Sequence, residues 1–219
     1  RVIVHSLHPI VLVGGAEIGP QELNIFQSRA KLFVGIDGGA DHLLAAGVDP
    51  VAVIGDLDSL SPEAALRYAD VLHRVPEQDT VDFEKGLMRV DAPLIYALGF
   101  AGGRLDHTLA VLHVMGRTPE RPVILISADD ASAIVPTAGL ELRLPIGCRV
   151  SIMPLAGAVV TVTGVVWPFT DKQMHPLGFT SPSNRVARDK AQIAAQGAVI
   201  VTVPRAQIDA LGQGVVRAR

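Results

Sequence analysis

Cysteine is nearly absent. Cys148 stands alone, which excludes an internal disulfide and a zinc site built from several thiolates, and it fits a reducing cytoplasm. Clustered Lys and Arg are missing too: the formal net charge is -3 and the pI is near 6.2. Neither a nucleic-acid groove nor an anionic membrane surface is expected, and any acidic ligand must be met locally or through a metal. The apolar run Pro9 to Val13 is broken at once by Gly14-Gly15, too short for a signal-peptide core or a membrane span, so neither export nor insertion is expected. The sequence opens on Arg1 instead of Met, which suggests a trimmed start. There is no internal repeat, no low-complexity tract and no Walker lysine loop. His5, His8, His42, His73, His113 and His175 are scattered without metal-ligand spacing, and no Ser-His-Asp arrangement can be built from local motifs.

What is present is a core. With 49% hydrophobic residues, the 219-residue chain can form one large domain or two small ones. As far as about residue 130, short β-branched runs alternate with helical patterns, the signature of βαβ units and a parallel sheet. Strands are expected at Ile10 to Val13, Leu32 to Ile36, Val51 to Ile54, Val71 to Val75, Leu94 to Leu98 and Val123 to Ile126. Helices are expected at Gln21 to Ala30, Asp41 to Ala46, Pro62 to Ala69, Asp82 to Val90 and Asp106 to Met115. After Asp129-Asp130, β-rich runs bounded by Gly and Pro take over and helix signals almost vanish. The expected fold is thus a parallel-sheet α/β domain over residues 1–130, followed by an antiparallel β-sandwich over 131–219. Ala191 to Ala195 and Ala198 to Val203, joined at Gln196-Gly197, read as a closing hairpin.

Chemistry sits at the strand exits. Val53-Ile54-Gly55-Asp56-Leu57-Asp58-Ser59 runs from a buried strand through a Gly to two carboxylates one residue apart. In an extended segment Asp56 and Asp58 point to one side and can face one cation; the plainer reading is an acidic surface turn. Asp37-Gly38-Gly39 sets a carboxylate on a turn whose glycines let the backbone approach a phosphate, or is merely a turn. Gln78, Asp79 and Asp82 lie at the mouth of a helix, where Asp79 reads as a cap and Asp82 is left to face the cleft. Lys85, one turn on, is either a salt-bridge partner on the surface or a phosphate ligand. Gly102-Gly103-Arg104-Leu105-Asp106-His107 is similar to a phosphate-cradling loop opening a helix, with Arg104 as a bidentate fork; His107 at a helix start suits a structural role. So many carboxylates at one sheet edge repel unless a divalent cation is present. Oxygen ligation without His or Cys suggests Mg²⁺, and Mg²⁺ beside Gly-rich turns and an Arg suggests a nucleoside triphosphate and a phosphoryl-type transferase.

In order, Asp37-Gly38-Gly39-Ala40, Gly55-Asp56-Leu57-Asp58-Ser59, Gln78-Asp79-Thr80-Val81-Asp82-Phe83 and Gly103-Arg104-Leu105-Asp106-His107 resemble the motif series of the thiamine pyrophosphokinase family. Thr163-Gly164-Val165-Val166-Trp167-Pro168 and Ser181-Pro182-Ser183-Asn184 resemble its thiamine-binding strand and loop, although Val165-Val166 and Arg185 depart from the usual pattern. The resemblance covers residues 37–184. It implies a cytoplasmic homodimer with active sites at the subunit interface, and Mg²⁺-dependent transfer of the terminal diphosphate of ATP to thiamine, releasing AMP. It implies metal coordination or hydroxyl activation by Asp56, Asp58 and Asp82, and substrate orientation by Gln78. It places Asp37, Gly38, Gly39, Lys85, Arg104, Asp106 and His107 at the nucleotide, and Thr161, Trp167, Ser183 and Asn184 at thiamine. Two other readings of the same pocket are a haloacid-dehalogenase-like phosphatase, whose nucleophile loop would follow the first strand and not the third, and a non-catalytic nucleotide sensor.

Overall fold

The computed structural model describes residues 1–77 and 79–219; Gln78 lies outside the described residues. The chain divides into two compact units, residues 1–111 with 125–127, and residues 112–124 with 128–219.

The first unit contains β1 (Val4–His5), β2 (Ile10–Val13), α1 (Pro20–Phe26), β3 (Leu32–Ile36), α2 (Gly39–Ala45), β4 (Ala52–Gly55), α3 (Pro62–Arg67), β5 (Leu72–Arg74), α4 (Asp82–Leu87), β6 (Val90–Asp91), β7 (Ile95–Leu98) and the start of α5 (Leu105–Arg117). Five of these strands pair in parallel in the order β7-β2-β3-β4-β5, and β1 and β6 form a separate parallel pair. Ile10-Val11-Leu12-Val13 and Ile95-Tyr96-Ala97-Leu98 are buried throughout, as continuous apolar runs must be in a parallel sheet covered on both faces. Phe26 of α1 meets Tyr96 of β7 edge-on at 5.3 Å, which fixes that helix over the sheet. The chain steps from β2 outwards through β3, β4 and β5, then returns to β7 on the other flank of β2. Such a reversal marks the carboxyl ends of the strands as the edge where open α/β sheets take ligands. Among the described residues no helix is long and apolar enough to cross a membrane.

β8 (Val123–Ile126) is shared between the two units, its first two residues grouping with the second and its last two with the first. The second unit holds two antiparallel sets built from β9 (Asp130–Ile134), β10 (Leu140–Leu142), β11 (Arg149–Pro154), β12 (Ala158–Thr163), β13 (Phe169–Met174), β14 (Ser181–Arg185), β15 (Ala191–Gln196) and β16 (Val199–Pro204). One set has the order β10-β15-β12-β13 and the other β14-β11-β16-β9.

Two expectations are corrected here. β15 and β16 follow each other in sequence but belong to different sets, so the turn at Gln196-Gly197 carries the chain between sheets and is not a hairpin. The sequence distinguishes the two strands: β15 opens by alternating buried and exposed residues, whereas Val199-Ile200-Val201 is buried throughout. The second unit also closes on a helix, α6 (Ile208–Arg217), where an all-β region was expected. Ile208, Leu211 and Val215 give it a buried face at helical spacing, a pattern obscured in the sequence by Gly212 and Gly214, which are poor helix formers.

Gly99, just after β7, shows how closely the turns that follow β2 and β7 approach each other. It sits at φ 73°, and a Cβ there would run into the Gly14 carbonyl oxygen. Gly47, at φ 65°, has open space around it. Chemical denaturation is expected to show a loss of about 2–4 kcal/mol for Gly99→Ala, from strain and overpacking together, against about 1–2 kcal/mol for Gly47→Ala, from strain alone. Equal losses would mean that the Gly14–Gly99 approach is not a tight one.

Candidate active site

β3 and β4 are adjacent and parallel, with Ile36 opposite Ile54, so the loops that follow them emerge side by side. Asp37 leaves β3 buried and in the left-handed region, at φ 46°. Its Oδ1 accepts a hydrogen bond from the Leu57 N–H at 2.8 Å. Leu57 is itself left-handed, at φ 67°, and packs against Ala40, Val53, Ala64 and Tyr68. With the leucine anchored in that cluster, its two acidic neighbours converge on the opposite side. Carboxylate oxygens of Asp37, Asp56 and Asp58 lie within 4.8 Å of one another. The convergence expected for Asp56 and Asp58 is therefore present, but a left-handed turn after the end of β4 produces it, not an extended segment.

Further bonds lace the two loops together. The Gly38 N–H donates to Ser59 Oγ at 3.2 Å, and the Ser61 N–H donates to Asp41 Oδ2 at 3.2 Å. Ser61 Oγ donates to Asp41 and accepts from the Ala64 N–H at 3.1 Å, capping α3. Gly55 leaves no room for a side chain, because a Cβ would collide with the Asp37 carboxylate.

Lys85 is buried at 2% exposure, with Nζ 3.2 Å from Asp56 and 3.1 Å from Asp82. It is not a surface residue. Burial pulls its ammonium pKa down, but hydrogen bonds to Asp82 and Asp56 more than compensate and leave it raised. Burial pushes the Asp37 carboxyl up to about 7 against the opposing Leu57 N–H, and the charges of Asp82 and Asp56 raise it further, as does a hydrogen bond with Asp82. The hydrogen bond and charge of Asp56 hold the Asp58 carboxyl above its ordinary value as well. This oxygen-only donor set, with acids that retain protons because they crowd each other, suits a hard divalent cation.

The other expected residues are placed as follows. Arg104 donates from Nε and Nη2 to the two oxygens of Asp106, at 3.2 and 2.6 Å, so the guanidinium fork is closed on its own loop. His107 is exposed in the first turn of α5. Gln78 lies outside the described residues. In the second unit, Thr161 Oγ1 is tied to Asp171, accepting from its N–H at 3.0 Å and donating to Oδ1 at 3.2 Å. Trp167 is 59% exposed and Ser183 is exposed at φ 59°. Asn184 is buried: its Oδ1 accepts from the Trp167 N–H at 3.2 Å and its Nδ2 donates to the Trp167 carbonyl at 2.9 Å. Its amide holds the Trp167 backbone. Asp41 was given no role from the sequence, although it lies four residues, about one helical turn, after Asp37; Ser59 and Ser61 read as a loop or helix start, and Ser61 caps α3.

Convergent carboxylates braced by a buried lysine, at the carboxyl ends of parallel strands and near Gly-rich turns, are what a metal-dependent phosphoryl-type transferase requires. The chain belongs to the thiamine pyrophosphokinase family: residues 23–126 match the thiamin pyrophosphokinase catalytic domain, and residues 140–200 match its vitamin B1 binding domain. Thiamine pyrophosphokinase 3 of Oryza sativa subsp. japonica is 28% identical over 199 residues, covering 75% of this chain and 74% of its own. The Bacillus subtilis thiamine pyrophosphokinase is 25% identical over 173 residues, covering 74% and 81%. The thiamin pyrophosphokinase structure from Geobacillus thermodenitrificans aligns with a TM-score of 0.73 at 23% identity, covering 90% of this chain and 96% of its own. The Candida albicans one aligns at 0.76 and 17% identity, covering 93% and 95%. At these identities the structural likeness shows the fold.

The raised Asp37 carboxyl makes stability depend on pH. Its folded pKa of about 7 exceeds the ordinary 3.8, so the stabilisation is complete below about pH 4 and is lost as the pH rises through 7. Metal-free protein is expected to lose up to about 4 kcal/mol across that window, and Asp37→Asn to flatten the slope while keeping an oxygen for the Leu57 N–H. Chemical denaturation at stepped pH reads this; parallel slopes for the two proteins would rule Asp37 out as the source.

Proposed function

We propose that this chain is a thiamine diphosphokinase, transferring the terminal diphosphate of ATP to the hydroxyethyl oxygen of thiamine and releasing AMP. The observation that carries this reading is the Asp37–Asp56–Asp58 trio, with oxygens within 4.8 Å of one another, in a member of this family. The thiamine oxygen forms a bond to the β-phosphorus of ATP as the bond between that phosphorus and the AMP oxygen breaks, and the hydroxyl proton passes to a carboxylate. Asp37, Asp56 and Asp58 would hold Mg²⁺, which neutralises charge on the triphosphate. Asp82 is half-exposed, beside the trio and hydrogen-bonded to Lys85, and so is available either to accept the proton or to complete the ligand shell. Lys85 ties Asp56 to Asp82 through its ammonium, 3.2 and 3.1 Å from their oxygens. Asp37-Gly38-Gly39 and the Arg104–Asp106–His107 loop serve the nucleotide, with Gln78 orienting substrate.

Thr161, Trp167 and Ser183 serve thiamine, whose flat aminopyrimidine and cationic thiazolium suit an exposed indole. Asn184 acts through Trp167. The working unit is a cytoplasmic homodimer, its second unit a β-sandwich that carries the thiamine residues and faces the partner's catalytic unit.

Release of AMP from ATP, Mg²⁺ and thiamine is the direct assay. Asp56→Asn and Asp58→Asn are each expected to lower it by roughly 100-fold or more; Asp58→Asn is expected to keep its melting temperature, because it relieves repulsion, whereas Asp56→Asn also takes a charged partner from buried Lys85 and is expected to melt lower. ATP affinity measured by calorimetry is expected to collapse in EDTA. Near-full turnover in either variant, or equal ATP affinity with and without the metal, would overturn the metal-bridged reading.

Shared sites predict complementation. Mixing inactive Asp56→Asn subunits with inactive Trp167→Ala subunits puts both defects in one site of each heterodimer and leaves the other intact, so random exchange is expected to restore about a quarter of wild-type activity. Verified heterodimers that stay inactive would place each site within one subunit.

A further inference from the structure

Outside the acid cluster, the first unit has a second concavity with the opposite charge. A cleft of about 830 Å³ runs along β5, lined by Leu72, His73, Arg74, Val75, Pro76, Glu77 and Arg89 together with residues 1–3. Its size is that of a small-ligand site. Arg1, Arg74, Arg89 and His73 contribute to its lining, and Val2, Ile3, Leu72, Val75 and Pro76 make the rest apolar.

The one acid on the lining is already occupied. Glu77 accepts from the Asp79 N–H at 2.9 Å and the Thr80 N–H at 3.1 Å, and it bonds Thr80 Oγ1, so its charge is turned into its own turn. Those bonds, the Thr80 hydroxyl first, hold its carboxyl below the ordinary value. Arg89 spends one amine on the Lys85 carbonyl at 2.9 Å, which fixes the guanidinium plane and leaves its other donors for a ligand. Charge on an edge strand also discourages strand addition, but that role needs one outward side chain, not several cationic residues lining one hollow.

We infer that this cleft is a second binding site, distinct from the catalytic cluster, for an organic phosphate of about nucleotide size. Its phosphate lies on Arg74 and Arg89 and its apolar part on Leu72, Val75 and Pro76. Planar donor forks match phosphate oxygens, and the apolar floor favours an organic phosphate over the bare ion. The cleft is joined to the catalytic loop through the backbone: Arg74 is opposite Gly55 in the sheet, the Val75 N–H donates to the Gly55 carbonyl at 2.6 Å, and Asp56 follows Gly55.

The test uses adenosine monophosphate and inorganic phosphate as probes on the full chain in EDTA, with calorimetry for affinity and backbone hydrogen exchange for location. Adenosine monophosphate is expected to slow exchange at residues 72–77, to bind at least about 10-fold more tightly than inorganic phosphate, and to lose at least about 10-fold in affinity in Arg74→Glu. Arg74 is exposed, so Arg74→Glu is expected to fold and to release AMP from ATP and thiamine at the wild-type rate. Arg74→Gln, which removes the charge without reversing it, is expected to weaken binding less. Protection confined to residues 37–39 and 56–59, equal affinity for both probes, or unchanged affinity in Arg74→Glu would each overturn the inference. None of these outcomes bears on the diphosphokinase reading, which stands or falls on turnover.

Discussion

Repulsion among carboxylates is the constraint around which the first unit is arranged, and the Lys85 ammonium is its internal answer. Asp37, Asp56, Asp58 and Asp82 are brought together by two loops and a helix start, and in a half-buried setting their mutual repulsion opposes folding. A buried cation held at 3.2 Å from Asp56 and 3.1 Å from Asp82 offsets part of that cost permanently. The remainder falls on Asp37 and Asp58, whose carboxyls keep their protons more tightly than usual. A divalent cation is thus favoured by the protein as well as by the substrate: it relieves a tension that Lys85 leaves in place. Burying a lysine is worthwhile only where such partners surround it, which is why it stands on α4, one turn after Asp82.

The loops that carry the acid cluster were legible because the pattern that builds them is local in sequence. A β-branched run, a Gly and two acids one residue apart require neither an alignment nor a long-range contact to be read, and the same is true of Asp37-Gly38-Gly39. The parallel sheet was legible for a similar reason, its strands being continuous apolar runs with helical patterns between them. Roles that depend on distant partners were not legible. Lys85 could be read as a surface residue or a phosphate ligand because nothing nearby in sequence announces that Asp56, 29 residues earlier, would bury it. Asn184 has the composition of a binding residue, but its amide is committed to Trp167, 17 residues away. The second unit was misread where two rules competed: a turn-like Gln196-Gly197 suggested a hairpin, and the burial pattern of the flanking strands, which assigns them to different sheets, carried more weight.

The β12–β13 region shows how a hydrogen-bonded frame can present an exposed aromatic side chain. Thr161 and Asp171 lock neighbouring strands at an irregularity in their register, and Asn184 fixes the backbone beneath Trp167, while the indole itself stays largely exposed. Packing does not fix the indole; the backbone that carries it is fixed. An aromatic side chain displayed this way loses little entropy when a flat ligand stacks on it, since only two torsions remain to be ordered.

The lacing of the two acidic loops also bears on how the protein ages. Among aspartates, those followed by glycine are the most open to succinimide formation, in which the glycine nitrogen attacks the preceding carboxyl carbon, water is expelled, and the ring later reopens largely as an isoaspartyl linkage. Asp37-Gly38 is such a pair at the centre of the site. Here the attacking nitrogen donates its hydrogen to Ser59 Oγ at 3.2 Å, and the carboxyl under attack is held by the Leu57 N–H at 2.8 Å. Both reactants are tied to the opposite loop, and Asp37 is buried away from water. The geometry that aims this carboxylate therefore also protects it from covalent decay, and partial opening of the loops would expose the backbone to slow, irreversible damage well before the fold itself is lost.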